Sequence, residues 1–205
     1  MDGNLGGPAD PLNERIVRAA LSCFEDQGLK RTTMEDVARR ARTSRITVYR
    51  RFSTKDRLIR AAITHELLTF FTALDSAVGA APDADHRIAE GFAFAVTYLR
   101  QSPLVGGVLA SEPEALLPYL TTGAGPLLEM ASSILAARLQ TEVDRGTLPA
   151  MDVTVAAELL ARLSLSFVLT PQSVVRTDSP EEARRFALRF LAPALRSQRP
   201  PASAG

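Results

Sequence analysis

Residues 33 to 55 read TMEDVARRARTSRITVYRRFSTK, and this stretch predicts two short helices joined by a tight turn. Thr33 followed by Asp36, or Thr32 followed by Glu35, is a capping-box-like helix start. The apolar residues after it recur at spacings of three and four, which is typical of one buried helix face. They are Met34, Val37, Ala38 and Ala41.

The second helix is predicted over residues 44–52, where Ser44 can cap the backbone N–H near Thr47. Val48 and Phe52 lie four residues apart and share the inner face of this helix. The side chains that point elsewhere are Arg45, Thr47, Tyr49, Arg50 and Arg51. Two capped helices in this order, the second rich in arginine, predict a helix-turn-helix whose second helix enters the DNA major groove.

Charge is distributed unevenly along the chain. Residues 12–60 hold 13 Lys and Arg against 6 Asp and Glu, whereas the whole chain of 205 residues holds 24 against 23. A polyanionic partner for the first part alone explains this asymmetry. A solvated basic face on an ordinary helical bundle is the alternative, and the ordered helix caps favour DNA binding over it.

The composition is that of an ordinary soluble protein, with 46% hydrophobic residues, 23% charged residues and a mean hydropathy of +0.03. The single cysteine excludes an intrachain disulfide and indicates a reducing compartment. The N-terminus is acidic and rich in Gly and Pro rather than signal-like, so we expect a cytoplasmic protein that has no membrane partner. One Cys and two His do not supply an all-His/Cys metal site. Since phosphate-loop and nucleophile-elbow motifs are also missing from the sequence, we expect no enzyme, no cofactor and no metal.

The segment from Arg15 to Ile63 resembles the DNA-binding head of TetR-family transcriptional regulators. The matching features are Phe24 and Gly28 at the end of the first helix, Thr32-Thr33, Val37-Ala38, Ser44, Thr47-Val48-Tyr49, Phe52 and Lys55. The remaining three quarters of the chain match that family only in length and in the pattern of predicted helices.

The resemblance implies an all-α fold of about nine helices. An N-terminal three-helix helix-turn-helix head is joined by a long helix 4 to a C-terminal helical domain that binds an effector and dimerises. We expect a disordered arm over residues 1–11, the DNA-binding domain over 12–54, the effector-binding and dimerisation domain over 55–196, and a mobile tail over 197–205.

The resemblance also assigns contacts to DNA. It implies that Thr47, Tyr49 and Lys55 contact phosphates, while Arg45 and Arg50 are candidates for base edges. The full predicted set is Thr33, Arg42, Thr43, Ser44, Arg45, Ile46, Thr47, Tyr49, Arg50, Arg51 and Lys55. This chain departs from the family at two of these positions, with Arg42 where Gly is frequent and Ile46 where a small residue is frequent.

Two further sites are expected in the C-terminal domain. The effector pocket implied by the resemblance would be lined by Phe70, Phe71, Phe92, Tyr98, Val108, Leu116, Tyr119, Met130 and Phe167. The dimer interface, on the last two predicted helices, would use Leu159, Arg162, Leu163, Ser166, Phe186, Phe190 and Ala194. The alternatives are that the first set only fills the core and that the second packs within one chain.

The function expected from these sites is a homodimeric repressor, released from a near-palindromic DNA operator by a small hydrophobic or amphipathic effector. Half-sites would lie about 34–36 Å apart, one turn of DNA. An activator and a ligand-independent regulator remain open alternatives. So does a helical enzyme or lipid-binding protein with an incidental basic head.

Overall fold

The computed structural model describes residues 10–196, and the predicted arm up to residue 9 and the predicted tail lie outside that range. The described chain is helical and contains no strand. None of its helices is both long and apolar enough to cross a membrane. This arrangement confirms the predicted all-α fold.

The helices follow one another through short connections. The first five are α1 Pro11–Arg31, α2 Met34–Arg40, α3 Arg45–Phe52, α4 Lys55–Val78 and α5 Ala84–Gln101. A π-helical stretch, Pro103–Gly107, then leads into α6 Val108–Ser111 and α7 Pro113–Leu120. The remaining helices are α8 Gly125–Asp144, α9 Val153–Leu169, α10 Pro180–Phe186 and α11 Ala192–Arg196, with a second π-helical stretch, Ala187–Leu191, between the last two.

The chain forms two compact units. The head unit comprises the described part of residues 1–68 together with 102–121, and the body unit comprises 69–101 together with the described part of 122–205. Helix α4 contributes to both units. The segment 102–121 therefore packs with the head, although the predicted functional boundary at residue 55 assigned it to the C-terminal domain.

The core of the head unit is built from the inner faces of α1, α2 and α3. The side chains of Ile16, Phe24, Val37 and Val48 are at most 1% exposed. Helix α1 begins at Pro11, within the predicted arm, because the Asp10 carboxylate accepts a hydrogen bond from the backbone N–H of Leu12 at 3.0 Å.

Gly28 interrupts α1 where the sequence predicts its end. Its φ of 84° and ψ of 167° are outside the helical region, and the helix resumes and runs to Arg31. A Cβ at this position would lie only 2.3 Å from Oε1 of Glu112. The other oxygen of that carboxylate accepts a hydrogen bond from the Lys30 backbone N–H at 2.9 Å. Gly28 is therefore required by its backbone conformation, whereas the Glu112 carboxylate is the end of a flexible side chain that could move aside.

Two clusters of buried apolar side chains lie in the described part of the body unit. One lies among α5, α8, α9 and α11 and includes Leu139, Leu148 and Ala156. The other lies among α5, α9 and α10 and includes Phe92 and Ala183, with Phe167 and Phe186 packed against it. Each helix of this unit therefore buries one face.

Candidate nucleic-acid interface

Helix α2 begins with the predicted capping box. The Thr33 hydroxyl oxygen accepts from the Asp36 N–H at 3.1 Å, and the Asp36 carboxylate accepts from the Thr33 N–H at 3.0 Å. Hydrogen bonds from the Thr33 hydroxyl and backbone hold the pKa of Asp36 below its usual value. The two reciprocal bonds satisfy backbone donors that a helix start otherwise leaves unpaired.

The turn between α2 and α3 closes with two backbone hydrogen bonds. The Thr43 N–H donates to the carbonyl of Ala38 at 3.0 Å, and the Arg42 N–H donates to that of Arg39 at 3.2 Å. This Schellman arrangement places Arg42 at the position that glycine usually occupies. Arg42 accordingly has a φ of 50° and is exposed, so it adopts the left-handed conformation in spite of its side chain.

Helix α3 presents a polar and aromatic face to solvent. Ser44 caps it by accepting from the Thr47 N–H at 3.1 Å, as predicted. Val48 is fully buried, whereas Ile46 is 79% exposed and Tyr49 is 38% exposed. Arg50 is also exposed. Helix α3 is therefore anchored on one side and open along the other.

Arg45 is held by two neighbours at the start of α3. Its Nε lies 2.6 Å from Oε1 of Glu35 on α2. Its Cζ lies 5.2 Å from the centre of the Tyr49 ring. Hydrogen bonding to Tyr49 and the charge of Glu35 raise the pKa of Arg45 further above its usual value. The sequence pattern indicated Glu35 only as a capping partner of Thr32, because no local pattern shows that two helices bring Glu35 against Arg45.

Two other cations in the predicted set have partners within the chain. Arg51 forms an ion pair with Asp10. The Lys55 ammonium donates to the backbone carbonyl of Lys30 at 3.0 Å, and burial lowers the pKa of Lys55. A DNA phosphate would have to compete with these partners.

The predicted pocket residues lie in four places. Phe70, Phe71 and Tyr98 form one aromatic group in the body unit, with Phe70 centred 5.0 Å from Phe71 and 5.5 Å from Tyr98. Phe92 and Phe167 form another, 5.6 Å apart. Met130 is 37% exposed. The remaining three, Val108, Leu116 and Tyr119, belong to the head unit.

Tyr119 takes part in a polar cluster of the head unit. Its hydroxyl donates to the Asp56 carboxylate at 2.8 Å, and the Cζ of Arg60 lies 5.0 Å from its ring centre. Burial and the hydrogen bond to Asp56 raise the pKa of Tyr119 to about 12. The phenol is therefore neutral and oriented by the start of α4.

The body unit has a cleft of about 430 Å³ between α8 and α9. Its lining mixes polar and apolar groups and comprises Gly125, Leu128, Glu129, Ser132, Ser133, Ala136, Thr154, Glu158 and Arg162. None of the predicted effector-pocket residues belongs to it, whereas Arg162 belongs to the predicted dimer interface. No sequence pattern predicted this cleft, because most of its residues look like the ordinary solvated face of two helices.

The predicted dimer-interface residues are partly exposed. Leu159 and Phe190 are 56% and 52% exposed, which is unusual for large apolar side chains. Arg162 is exposed and paired with Glu158. Leu163 and Phe186 instead pack against the second core cluster of the body unit. Ser166 and Ala194 are exposed.

Known protein families match both the N-terminal and the C-terminal part of the chain. The family description "Bacterial regulatory proteins, tetR family" matches residues 16–62, and "Bacterial Tetracyclin repressor, C-terminal domain" matches residues 83–189. An HTH-type transcriptional regulator of Mycobacterium bovis is 29% identical over 165 residues, which cover 80% of this chain and 79% of the relative.

Solved structures show the same fold. The TetR family repressor AlkX from Dietzia sp. strain DQ12-45-1b, implicated in biodegradation of n-alkanes, matches with a TM-score of 0.70 and 22% identity, covering 95% of this chain and 97% of the other. The R. erythropolis TetR-family repressor QsdR matches with a TM-score of 0.68 and 22% identity, covering 95% and 100%.

The helix-turn-helix, the helical body and the two family matches define a bacterial DNA-binding transcriptional regulator of the repressor type. The chain belongs to the TetR family.

Proposed function

We propose that this protein is a homodimeric cytoplasmic repressor that inserts helix α3 into the major groove of a near-palindromic operator. The observation that carries the proposal is the open face of α3, where Ile46, Tyr49 and Arg50 are exposed while Val48 anchors the helix. A dimer places two such helices about 34–36 Å apart, one turn of DNA.

The proposed contacts divide between backbone and bases. Thr47 and Tyr49 bind phosphates, which fix the position of α3 on the duplex. Arg50 and Arg45 read base edges, and Ile46 contacts a thymine methyl. The exposed charges of Arg42 and Arg50 add sequence-independent attraction to phosphates, so binding should weaken as the salt concentration rises.

The second copy is proposed to bind on α9 and the α10–α11 segment. Val155 and Leu159 lie four residues apart on α9, so they occupy one helix face, and they are 49% and 56% exposed. Phe190 adds a third large exposed apolar side chain. Burying such a stripe against its own symmetry mate is the usual way for a homodimer to remove it from water.

The effector is proposed to be a small hydrophobic or amphipathic molecule that binds the helical C-terminal domain. The aromatic groups around Phe70 and around Phe92 support this, since apolar ligand sites are lined by such side chains. The link of AlkX to n-alkane biodegradation points in the same direction. To raise the fraction of operator-free repressor from 1% to 99%, the effector must bind the operator-free state about 5.5 kcal/mol more favourably than the DNA-bound state.

The test is binding of the full-length protein to the DNA that flanks its own gene, measured at several salt concentrations. We expect a shifted complex, a negative slope of log affinity against log salt, and at least a tenfold loss for Arg50→Ala. Arg176→Ala is the matched control, because Arg176 is an exposed, ion-paired arginine of the body unit. A slope near zero, or equal losses for the two variants, would contradict the proposal.

A further inference from the structure

An ion pair connects the two helices of the helix-turn-helix. Glu35 lies in the first turn of α2 and Arg45 is the first residue of α3, and their charged atoms are 2.6 Å apart. Both side chains are well exposed, at 45% for Glu35 and 62% for Arg45. The pair therefore lies on the surface, next to the face that is proposed to contact DNA.

Stability does not account for this pair. Exposed ion pairs contribute about 0–1 kcal/mol, because water screens them and two long side chains lose freedom. Capping does not account for it either, since the adjacent Asp36 already closes the capping box of α2. A carboxylate next to a DNA-binding surface also repels phosphates. Glu35 thus weakens the general attraction to DNA. The position of its carboxylate beside Arg45 indicates a role that offsets this loss.

That geometry concerns the orientation of the guanidinium group of Arg45. The carboxylate of Glu35 approaches Nε, the nitrogen nearest the backbone, and the ring of Tyr49 lies beside Cζ at 5.2 Å. An arginine presents two terminal nitrogens as a planar fork beyond Nε. Contacts at Nε and with an aromatic ring favour one plane and direction of that fork over others.

A fixed fork matches guanine. Guanine displays two acceptors, O6 and N7, side by side in the major groove, and a bidentate arginine distinguishes it from the other bases. A freely rotating arginine would lose more conformational freedom on forming the same pair of bonds. An arginine that is already oriented loses less conformational freedom. A larger part of its hydrogen-bond energy therefore contributes to the preference for guanine over other bases.

We propose that Glu35 is a positioning residue for base recognition: it orients Arg45 so that the terminal nitrogens of Arg45 read a guanine in each half-site. The proposal rests on the proposed function, because it needs α3 in the major groove. It adds a specificity role for an acidic residue of α2, whose charge alone would only oppose DNA binding.

The experiment is selection of binding sites from random double-stranded DNA by the full-length protein, followed by affinity measurements on single-base variants of the selected site. Wild type, Glu35→Gln, Arg45→Ala and Arg45→Lys are compared. Asp26→Asn is the matched control, because Asp26 forms an exposed ion pair with Arg40 elsewhere in the head unit. Asp26→Asn and Glu35→Gln each remove one negative charge and should raise affinity for nonspecific DNA similarly.

We expect the wild type to select a guanine that Arg45→Ala no longer prefers and that Arg45→Lys prefers less strongly, because a lysine can donate to guanine but lacks the planar fork. Glu35→Gln should reduce the preference for that same guanine by about fivefold or more, whereas Asp26→Asn should leave it unchanged. Circular dichroism and thermal unfolding of each variant separate this result from a loss of folding.

Each other outcome has a distinct meaning. If the wild type selects no motif at all, the proposed function itself fails. If a motif appears but Glu35→Gln keeps the full guanine preference, the positioning role is overturned while DNA recognition stands. If Glu35→Gln raises operator affinity and leaves every base preference intact, Glu35 masks Arg45 instead of orienting it, which also overturns the proposal.

Discussion

At the scale of single residues, Arg42 shows a conflict between backbone and side chain. Its φ of 50° closes the turn of the helix-turn-helix, and the left-handed conformation costs an L-residue other than glycine about 1–2 kcal/mol. The arginine side chain is exposed, so burial does not offset this cost. A residue retained in a strained conformation next to a DNA-binding helix suggests that its charge is used there.

Replacing Arg42 with glycine should therefore stabilise the protein while weakening its binding to DNA. We expect the free energy of unfolding to rise by about 0.5–1 kcal/mol, because relief of strain exceeds the added freedom of glycine in the unfolded chain. Urea unfolding followed by circular dichroism measures this change. Arg42→Lys keeps both strain and charge and should leave stability unaltered. A less stable Arg42→Gly variant would show that the arginine side chain itself supports the turn.

The residues that the sequence predicted best are those whose partners lie nearby in the chain. The caps at Thr33 and Ser44 follow from interactions within a few residues, and the structure confirms them. The contact of Glu112 with Lys30 spans 82 residues, and the pairing of Glu35 with Arg45 depends on how two helices cross. Neither leaves a periodic or local signal.

At the scale of elements, the end of α8 is fastened by a buried carboxylate. Glu142 is 8% exposed. It forms ion pairs with Arg87 of α5 and with Arg145, and its carboxylate accepts from the Thr147 hydroxyl at 2.8 Å. Burial would raise the pKa of Glu142, but the hydrogen bond from Thr147 and the charges of the two arginines together hold it below its usual value.

Glu142→Gln should destabilise the protein by about 1–3 kcal/mol at neutral pH, since buried donors lose their charged acceptor. Because folding lowers this pKa, the contribution is complete above the unfolded value of about 4.5 and disappears as the pH falls through the folded value. The stability difference between wild type and variant should therefore shrink in acid. Urea unfolding at a series of pH values measures it, and a difference independent of pH would contradict the assignment.

Glu181→Gln provides the control for that series. Glu181 is 72% exposed and pairs with Arg184 at 3.4 Å, so its loss should change stability by less than about 0.5 kcal/mol.

The irregular elements depend on contacts that no local pattern shows. Residues 103–107 are π-helical and lead into α6 and α7. Residues 187–191 are π-helical as well. A π-helical turn shifts the hydrogen-bond pattern by one residue, and tertiary packing rather than composition decides where that happens.

At the scale of the whole molecule, association is the property that the proposed function requires. Leu159→Asp places a charge in the middle of the exposed stripe on α9 and should convert a dimer into monomers, because a buried unpaired carboxylate is strongly unfavourable. Sedimentation equilibrium measures the mass, and operator affinity should fall with it. Val174→Asp is the control, since Val174 is fully exposed on a loop outside the proposed interface. A Leu159→Asp protein that stays dimeric would place the interface elsewhere.

The head unit is assembled from two separate stretches, and this has a consequence for biosynthesis. Residues 102–121 pack with residues of the first 68, so a ribosome must translate the intervening 69–101 before the head has all its parts. Until then Gly28 and Lys30 lack the carboxylate of Glu112. Nascent chains halted before residue 112 would therefore contain the whole helix-turn-helix sequence but lack part of the segment that packs with it. A gene fragment that ends at residue 68 would lack all of that segment.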